Sequence, residues 1–509
     1  MKVLRDMDCD DSAFSYPDVL IVGAGLAGLG MGVGLRQAGI DDFVILEKAS
    51  EVGGTWRSNT YPGCACDVMS MMYSYSFAPH TGWSKLYAEQ PEILDYARRV
   101  VKDFALEPHL RFDSEVVSYE FDDAVDRWWV RTRGGELYCP RVVVLCHGAL
   151  HRPNIPEFPG RDRFSGPIVH TAEWDSSIDV TDKRVAVIGT GASAVQLVPA
   201  IAGQAAHVEV FQRTPHWVLP KLNRTIGDRE RRLLTRVPGL RALYRNIAFW
   251  THEIPVAGFL HPRLLPVLRW AALRTLRKQV PDPALRAKLI PDYTIGCKRI
   301  LLTSDYYPTL ARPDVDLVTA AIAAFESGGV RTADGVLHEA DLIVLATGFD
   351  TDNRCAREHI VGRDGITIQQ AWRDGVQAYL GMSVSGFPNL FLVMGPNSGG
   401  GAQSILFVIE AQIRYIVKCL HLLRRGGATR IEVRPEVQRG FNERLHAKLS
   451  RSVWNSGGCA SWFLDHTGNN RQCWPGTGTS YWWATRTPKA RSFRLTRESS
   501  LHAVENQRC

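Results

Sequence analysis

Apolar residues fall into two kinds of pattern along this chain. Short, mainly apolar runs lie at 18–22, 43–46, 141–145, 184–188, 207–211, 341–345 and 390–393, and each meets a glycine or a charged residue within three positions. Runs of four or five such residues are too short for a stable helix and predict buried strands. Elsewhere the apolar positions keep helical spacing, first over 25–37 and later from about Gln403. The longest such stretch is 222–291, where Leu233, Val237, Leu240, Leu243, Ile247 and Trp250 are followed by Leu264, Leu268 and Leu276. A stripe of this kind is expected to dock on the protein's own body as a helical cap. Its interleaved arginines are not expected to touch a membrane.

Length and composition narrow the class. At 509 residues the chain exceeds one ordinary core and fits two or three packed domains. Low-complexity tracts and repeats at solenoid periods are absent. Lys and Arg number 60 against 53 Asp and Glu, and the basic residues are dispersed, which argues against nucleic-acid binding. The 11 cysteines are odd in number and irregularly spaced. Cys64 and Cys66 fit neither a zinc knuckle nor a CxxC pair, so no metal is expected, and the cysteines are expected to be reduced thiols of a cytoplasmic protein. Residues 1–16 lack the basic start and apolar stretch of a signal peptide, and no later run is long enough to span a bilayer.

Two glycine motifs add chemistry to the strand pattern. The run at 18–22 leads into GAGLAG, with Gly23, Gly25 and Gly28, and then into a helix. Glycine lets such a turn close and lets a pyrophosphate approach the amides at the helix start. The following strand ends in Glu47, 24 positions after Gly23, where a carboxylate accepts hydrogen bonds from a ribose. This unit is expected to bind an unphosphorylated adenosine, as in FAD. The pattern returns at 184–188 with GTGASA, where Gly189 and Gly191 are followed by Ala194. At the matched offset stands Arg213 in place of the acid. A guanidinium there forks onto a 2′-phosphate and selects NADPH over NADH. The pair predicts an α/β protein with two Rossmann-like dinucleotide-binding domains in a glutathione-reductase-like arrangement, passing hydride from NADPH to flavin.

Between the motifs stand Phe164, Gly166, His170, Trp174 and Asp175, which fill every specified position of FxGxxxHxxxW(P/D). On these residues the chain resembles the Baeyer-Villiger monooxygenases, and the resemblance extends to VGGTWR at 52–57, YPGCACD at 61–67, IGCKRIL at 295–301, SDYYP at 304–308 and ATGFD at 346–350. His170 and Trp174 are expected to brace an interdomain linker, with no proton-transfer step. The resemblance implies that Gly54, Thr55, Trp56, Asp67, Tyr73 and Val116 line the FAD site. It implies that Thr190, Gly191, Ser193, Gln196, Arg213, Thr214, Lys298 and Trp462 contact NADP.

It also implies a charge arrangement suited to the reaction. A C4a-peroxyflavin must stay anionic to attack a ketone and give an ester or lactone. A fixed cation favours that form and stabilises the tetrahedral oxyanion that follows. Arg299 occupies the family's position for this cation, and Asp67 the position that orients it. Ketone and O2 are the implied partners. The identity of the ketone stays open among cyclic, aryl, linear, steroid-like and polyketide compounds, as does the oligomeric state. N- or S-oxygenation, and a non-catalytic flavin-binding redox sensor, are the alternatives with the same nucleotide units.

The expected division places the FAD domain at 1–150 and 346–509, the latter ending in an aromatic-rich lid. The NADP domain is expected at 151–221 and 292–345, with a helical insertion at 222–291. At 400–402 the chain departs from the bulkier or polar residues more usual in the family.

Overall fold

Two parallel five-stranded sheets organise the chain, each assembled from the apolar runs of the sequence. The computed structural model describes residues 14–148, 150–351, 358–399, 403–465 and 467–497. In the first sheet Val19–Val22 lies between Val142–Leu145 and Phe43–Leu46, with Leu390–Leu392 and Leu110–Arg111 at the edges. In the second, Arg184–Ile188 lies between Leu342–Leu345 and His207–Phe211, with Ile168–His170 and Val315–Val318 outside them. Central parallel strands are covered on both faces, which is why these runs are apolar throughout and do not alternate. Every residue of Val19–Val22 and of Val142–Leu145 is buried.

The two sheets share their strand order except at one edge. In the first unit that edge strand comes late in the chain, and in the second it precedes the glycine motif. Each sheet is accompanied by an antiparallel meander. Val116–Asp122, Arg127–Thr132 and Leu137–Tyr138 form one. Ile322–Glu326, Gly329–Thr332 and Leu337–Glu339 form the other. The result is the doubly wound arrangement that the paired glycine motifs imply.

The spacing across 222–291 does produce helices, at Asp228–Arg236, Leu240–Leu260, Leu265–Gln279 and Pro283–Lys288. Most of its apolar stripe, however, points outward, and only Leu240, Leu268 and Leu276 pack on the body. Leu233, Val237, Leu243, Ile247, Trp250 and Leu264 are 42–56% exposed, and of the stripe only Leu276 is fully buried. Periodicity identifies a stripe without saying which side it faces. The inner face of Leu240–Leu260 is built instead from Ala248, Val256 and Phe259, with Glu253 buried at its flank. On the same helix Arg245 donates to the carbonyls of Met71 and Ser74 at 3.1 and 2.7 Å.

The expectation of reduced thiols throughout is corrected at one place. Cys297 and Cys459, separated by 162 positions, form a disulfide. Only tertiary structure brings them together, so no local spacing could reveal the pair. Cys64, Cys66, Cys139, Cys146, Cys419 and Cys473 remain free and buried. No described helix is long and apolar enough to cross a membrane.

Candidate active site

The first glycine turn closes without room for side chains. Gly23 has a φ of +103°, and a Cβ on Gly28 would lie 1.8 Å from the Gly23 carbonyl oxygen. The helix that follows, Leu26–Gln37, has no side-chain cap and no acid in its first turn, so its free amides suit an anion. At the end of the neighbouring strand Glu47 is fixed by two amides. Its Oε2 accepts from Ala24 N at 2.7 Å and its Oε1 from Ala49 N at 3.0 Å. Gly54 packs against Gly25, and Thr55 opens the short helix Thr55–Ser58 behind them. Trp56 Nε1 donates to Tyr73 Oη at 2.9 Å, which sets both rings. Val116 is half-buried at the start of its meander strand. An uncapped helix start, a side-chain-free turn and a buried acid together fit the adenosine and pyrophosphate of FAD.

The second turn repeats the backbone and changes the charge. Gly189 has a φ of +118°, and a Cβ there would lie 2.4 Å from the Ala346 carbonyl oxygen. A Cβ on Gly191, by contrast, would meet nothing within 4 Å, so the turn opens onto space. Ser193 stands at the uncapped start of Ala194–Ile201. Thr190 Oγ1 donates to Thr214 O at 3.1 Å, tying the turn to the loop that carries Arg213. Arg213 is exposed and Lys298 half-buried over the ring of Tyr293. Burial, then the charge of Arg213, lowers the Lys298 ammonium from its usual value. Two cations that repel each other across one space suit a phosphate dianion.

Arg299 and Asp67 come from opposite halves of the chain and meet side chain to side chain. Arg299 Nε donates to Asp67 Oδ2 at 3.0 Å, and Nη2 donates to Oδ1 at 2.8 Å and Oδ2 at 2.7 Å. Nη1 has no hydrogen bond among the described residues. Burial alone would raise the Asp67 carboxyl, but the Arg299 charge and hydrogen bonds outweigh it and hold the group below its ordinary range. Asp67 in turn raises the arginine further against the effect of burial. Lys221, a residue that sequence reasoning did not single out, adds a second cation. Its Nζ donates to Cys66 O at 2.9 Å, and burial lowers its ammonium.

Other singled-out residues make contacts of their own. Gln196 turns its amide toward the first unit: Oε1 accepts from Tyr61 Oη at 2.9 Å and from Ala65 N at 3.2 Å, and Nε2 donates to Ala65 O at 2.9 Å. It therefore clasps the two nucleotide units together. His170 is buried, with Nδ1 accepting from Ala172 N at 3.1 Å, and the Trp174 carbonyl accepts from Thr60 Oγ1 at 2.9 Å. Asp175 caps the local turn through Ser177 N at 2.8 Å. Trp462 is 42% exposed against Phe463, on the segment that the disulfide ties to Lys298 and Arg299. Glu253 was also missed: it is buried and accepts from Gln403 Nε2, Gly478 N and Thr479 N. Residues 400–402 lie outside the described residues.

Comparison with known proteins agrees with this geometry. Residues 20–226 match the pyridine nucleotide-disulphide oxidoreductase family. A Baeyer-Villiger monooxygenase of Streptomyces coelicolor is 44% identical, covering 94% of this chain and 92% of its own length. One from Pseudomonas aeruginosa is 41% identical, covering 97% and 94%. Among solved structures, an oxidized steroid monooxygenase bound to NADP superimposes with a TM-score of 0.85 at 33% identity, over 95% of this chain and 100% of that one. With relatives this similar along nearly the whole length, and with paired nucleotide turns that suit FAD and NADP, the chain belongs to the Baeyer-Villiger monooxygenases.

Proposed function

We propose that Arg299 and Asp67 are the groups through which this FAD- and NADPH-dependent enzyme inserts one atom of O2 beside a ketone carbonyl. When bound, FAD reduced by NADPH supplies the activated oxygen. The protein's part is to keep that oxygen nucleophilic and to steady the negative charge that develops on the attacked carbonyl. A guanidinium suits both tasks because it does not lose its proton. The observation that carries this reading is the grip on Arg299. Asp67 holds Nε and Nη2, and this fixes the plane of the group and leaves Nη1 without a hydrogen bond among the described residues.

The remaining roles belong to the same reading. Gly23, Gly25, Gly28 and Glu47, with Gly54, Thr55, Trp56, Tyr73 and Val116 around them, hold FAD. Gly189, Thr190, Gly191, Ser193 and Thr214 receive the nicotinamide dinucleotide, and Arg213 with Lys298 takes its 2′-phosphate. Trp462, on the segment stapled beside Arg299, serves as part of a lid that keeps water from the reactive oxygen. Residues 1–150 and 346–509 form the FAD domain, 151–221 and 292–345 the NADP domain, and 222–291 the insertion.

The test couples NADPH loss to ester or lactone formation over a panel of ketones, with Arg299→Ala as control. The variant is expected to bind and reduce its flavin while ester formation falls at least about 100-fold. Retention of ester yield would overturn the role of Arg299.

A further inference from the structure

The outer face of the helical insertion is apolar where a surface in water would be polar. Along Leu240–Leu260, Leu243, Ile247, Trp250 and Ile254 follow at intervals of three and four residues and so share one stripe. Each is more than half exposed, and Ile254 reaches 69%. Of the buried residues of this helix, Ala248, Val256 and Phe259 lie on the other side. The next helix repeats the arrangement: Val267 and Trp270 are 71% and 60% exposed, whereas Leu265, Ala272 and Leu276 are buried. Single exposed apolar residues need no explanation, but a run of them across two consecutive helices does.

The charge around this stripe is mostly positive. Residues 228–279 hold eleven Arg and Lys against three Asp and Glu. Asp228 is paired with Arg231 and Glu230 with Arg224. The third acid, Glu253, is buried on the inner side. Arg241, Arg263 and Arg269 are exposed, and Arg274 lies over the Trp270 ring at 5.5 Å.

We propose that this face docks the enzyme peripherally on an anionic lipid surface. Trp250 and Trp270 sit at headgroup depth, where an amphipathic ring is favoured. The aliphatic residues of the stripe enter the acyl boundary, and the flanking arginines face lipid phosphates. A second copy of the chain fits less well, because it would set one positive face against another. Docking needs no rearrangement inside, since Arg245 and Glu253 hold the opposite side of the same helix to the body. This inference stands whichever ketone is turned over.

The test floats the holoenzyme with vesicles of phosphatidylcholine alone, or with phosphatidylglycerol added. The enzyme is expected to rise with the anionic vesicles only, and to be released as salt screens the charges. The double variant Trp250→Ser/Ile254→Ser is expected to keep its flavin and its NADPH oxidation in solution while its vesicle partitioning falls roughly tenfold or more. Arg241→Glu/Arg274→Glu is expected to weaken binding in the same way. Equal partitioning of wild type and variants would overturn the proposal. So would a wild type that light scattering shows as a dimer, that binds no vesicles and that the double variant turns into a monomer, since the face would then be a subunit contact.

Discussion

Asp67 and Arg299 stand 232 positions apart, yet both carboxylate oxygens meet the guanidinium. A cation held at two points is oriented as well as charged, so losing the acid should cost direction before it costs binding. Asp67→Ala is expected to oxidise NADPH at a rate near that of the wild type while ester formation drops about 100-fold, with the difference appearing as hydrogen peroxide. Parallel assays of NADPH, ester and peroxide check this. A proportionate fall in all three would count against an orienting role.

The same pair sets an expectation for pH. The Asp67 carboxyl is depressed, because the Arg299 charge and hydrogen bonds outweigh the effect of burial. The stabilisation it contributes is therefore complete above the unfolded-chain value of about 4 and is lost only as pH falls through the lower folded value. Between about pH 6 and 9 the pair does not titrate. The ratio of wild-type to Asp67→Asn ester formation is expected to be flat across that range. A ratio that rises or falls tenfold there would show that another group controls the arginine.

On the proposed reading, Arg213 and Lys298 divide the recognition of one phosphate. Arg213→Ala is expected to raise KM for NADPH roughly 10- to 100-fold and to leave KM for NADH nearly unchanged. Lys298→Met should shift the same ratio by a smaller factor. Steady-state kinetics with both coenzymes checks it, and equal losses for the two would remove the 2′-phosphate assignment.

The glycines of the two turns should separate by what their missing side chains face. Gly28→Ala places a Cβ 1.8 Å from a carbonyl oxygen, so the purified protein is expected to carry little flavin. Gly191→Ala meets no protein atom within 4 Å. It should keep full flavin content and lose affinity for NADPH. Flavin absorbance relative to protein, and KM for NADPH, distinguish the two.

The Cys297–Cys459 bond closes a loop of 162 positions and should stabilise the fold by about 2–5 kcal/mol. Thermal melts are expected to show wild type losing several degrees in reducing buffer and Cys459→Ser indifferent to it. An identical response of both to reductant would mean that the bond carries no stability.

The features legible in the sequence were those with a local signature. The two strand, turn and helix units were legible, as was the exchange of Glu47 for Arg213 at one offset, because each rests on residues within about two dozen positions of one another. The meeting of Asp67 with Arg299 was legible only through resemblance to a family. Gln196 was expected to contact NADP, and the partners of its amide, Tyr61 and Ala65, carried no sequence signal. The disulfide was hidden because its partners share no spacing. The outward stripe was hidden because a helical period carries no information about which side meets the body, and that is decided by Arg245 and Glu253, whose partners lie in distant segments.

The amide of Gln196 has a further consequence for motion. It grips residues 61 and 65, so the short stretch leading to Asp67 belongs mechanically to both nucleotide units. A swing of one unit over the other must either drag the acid, and with it the arginine, along the cleft, or let go of three hydrogen bonds at once. As long as those three bonds hold, Asp67 and its partner Arg299 are tied to the position of the second nucleotide unit.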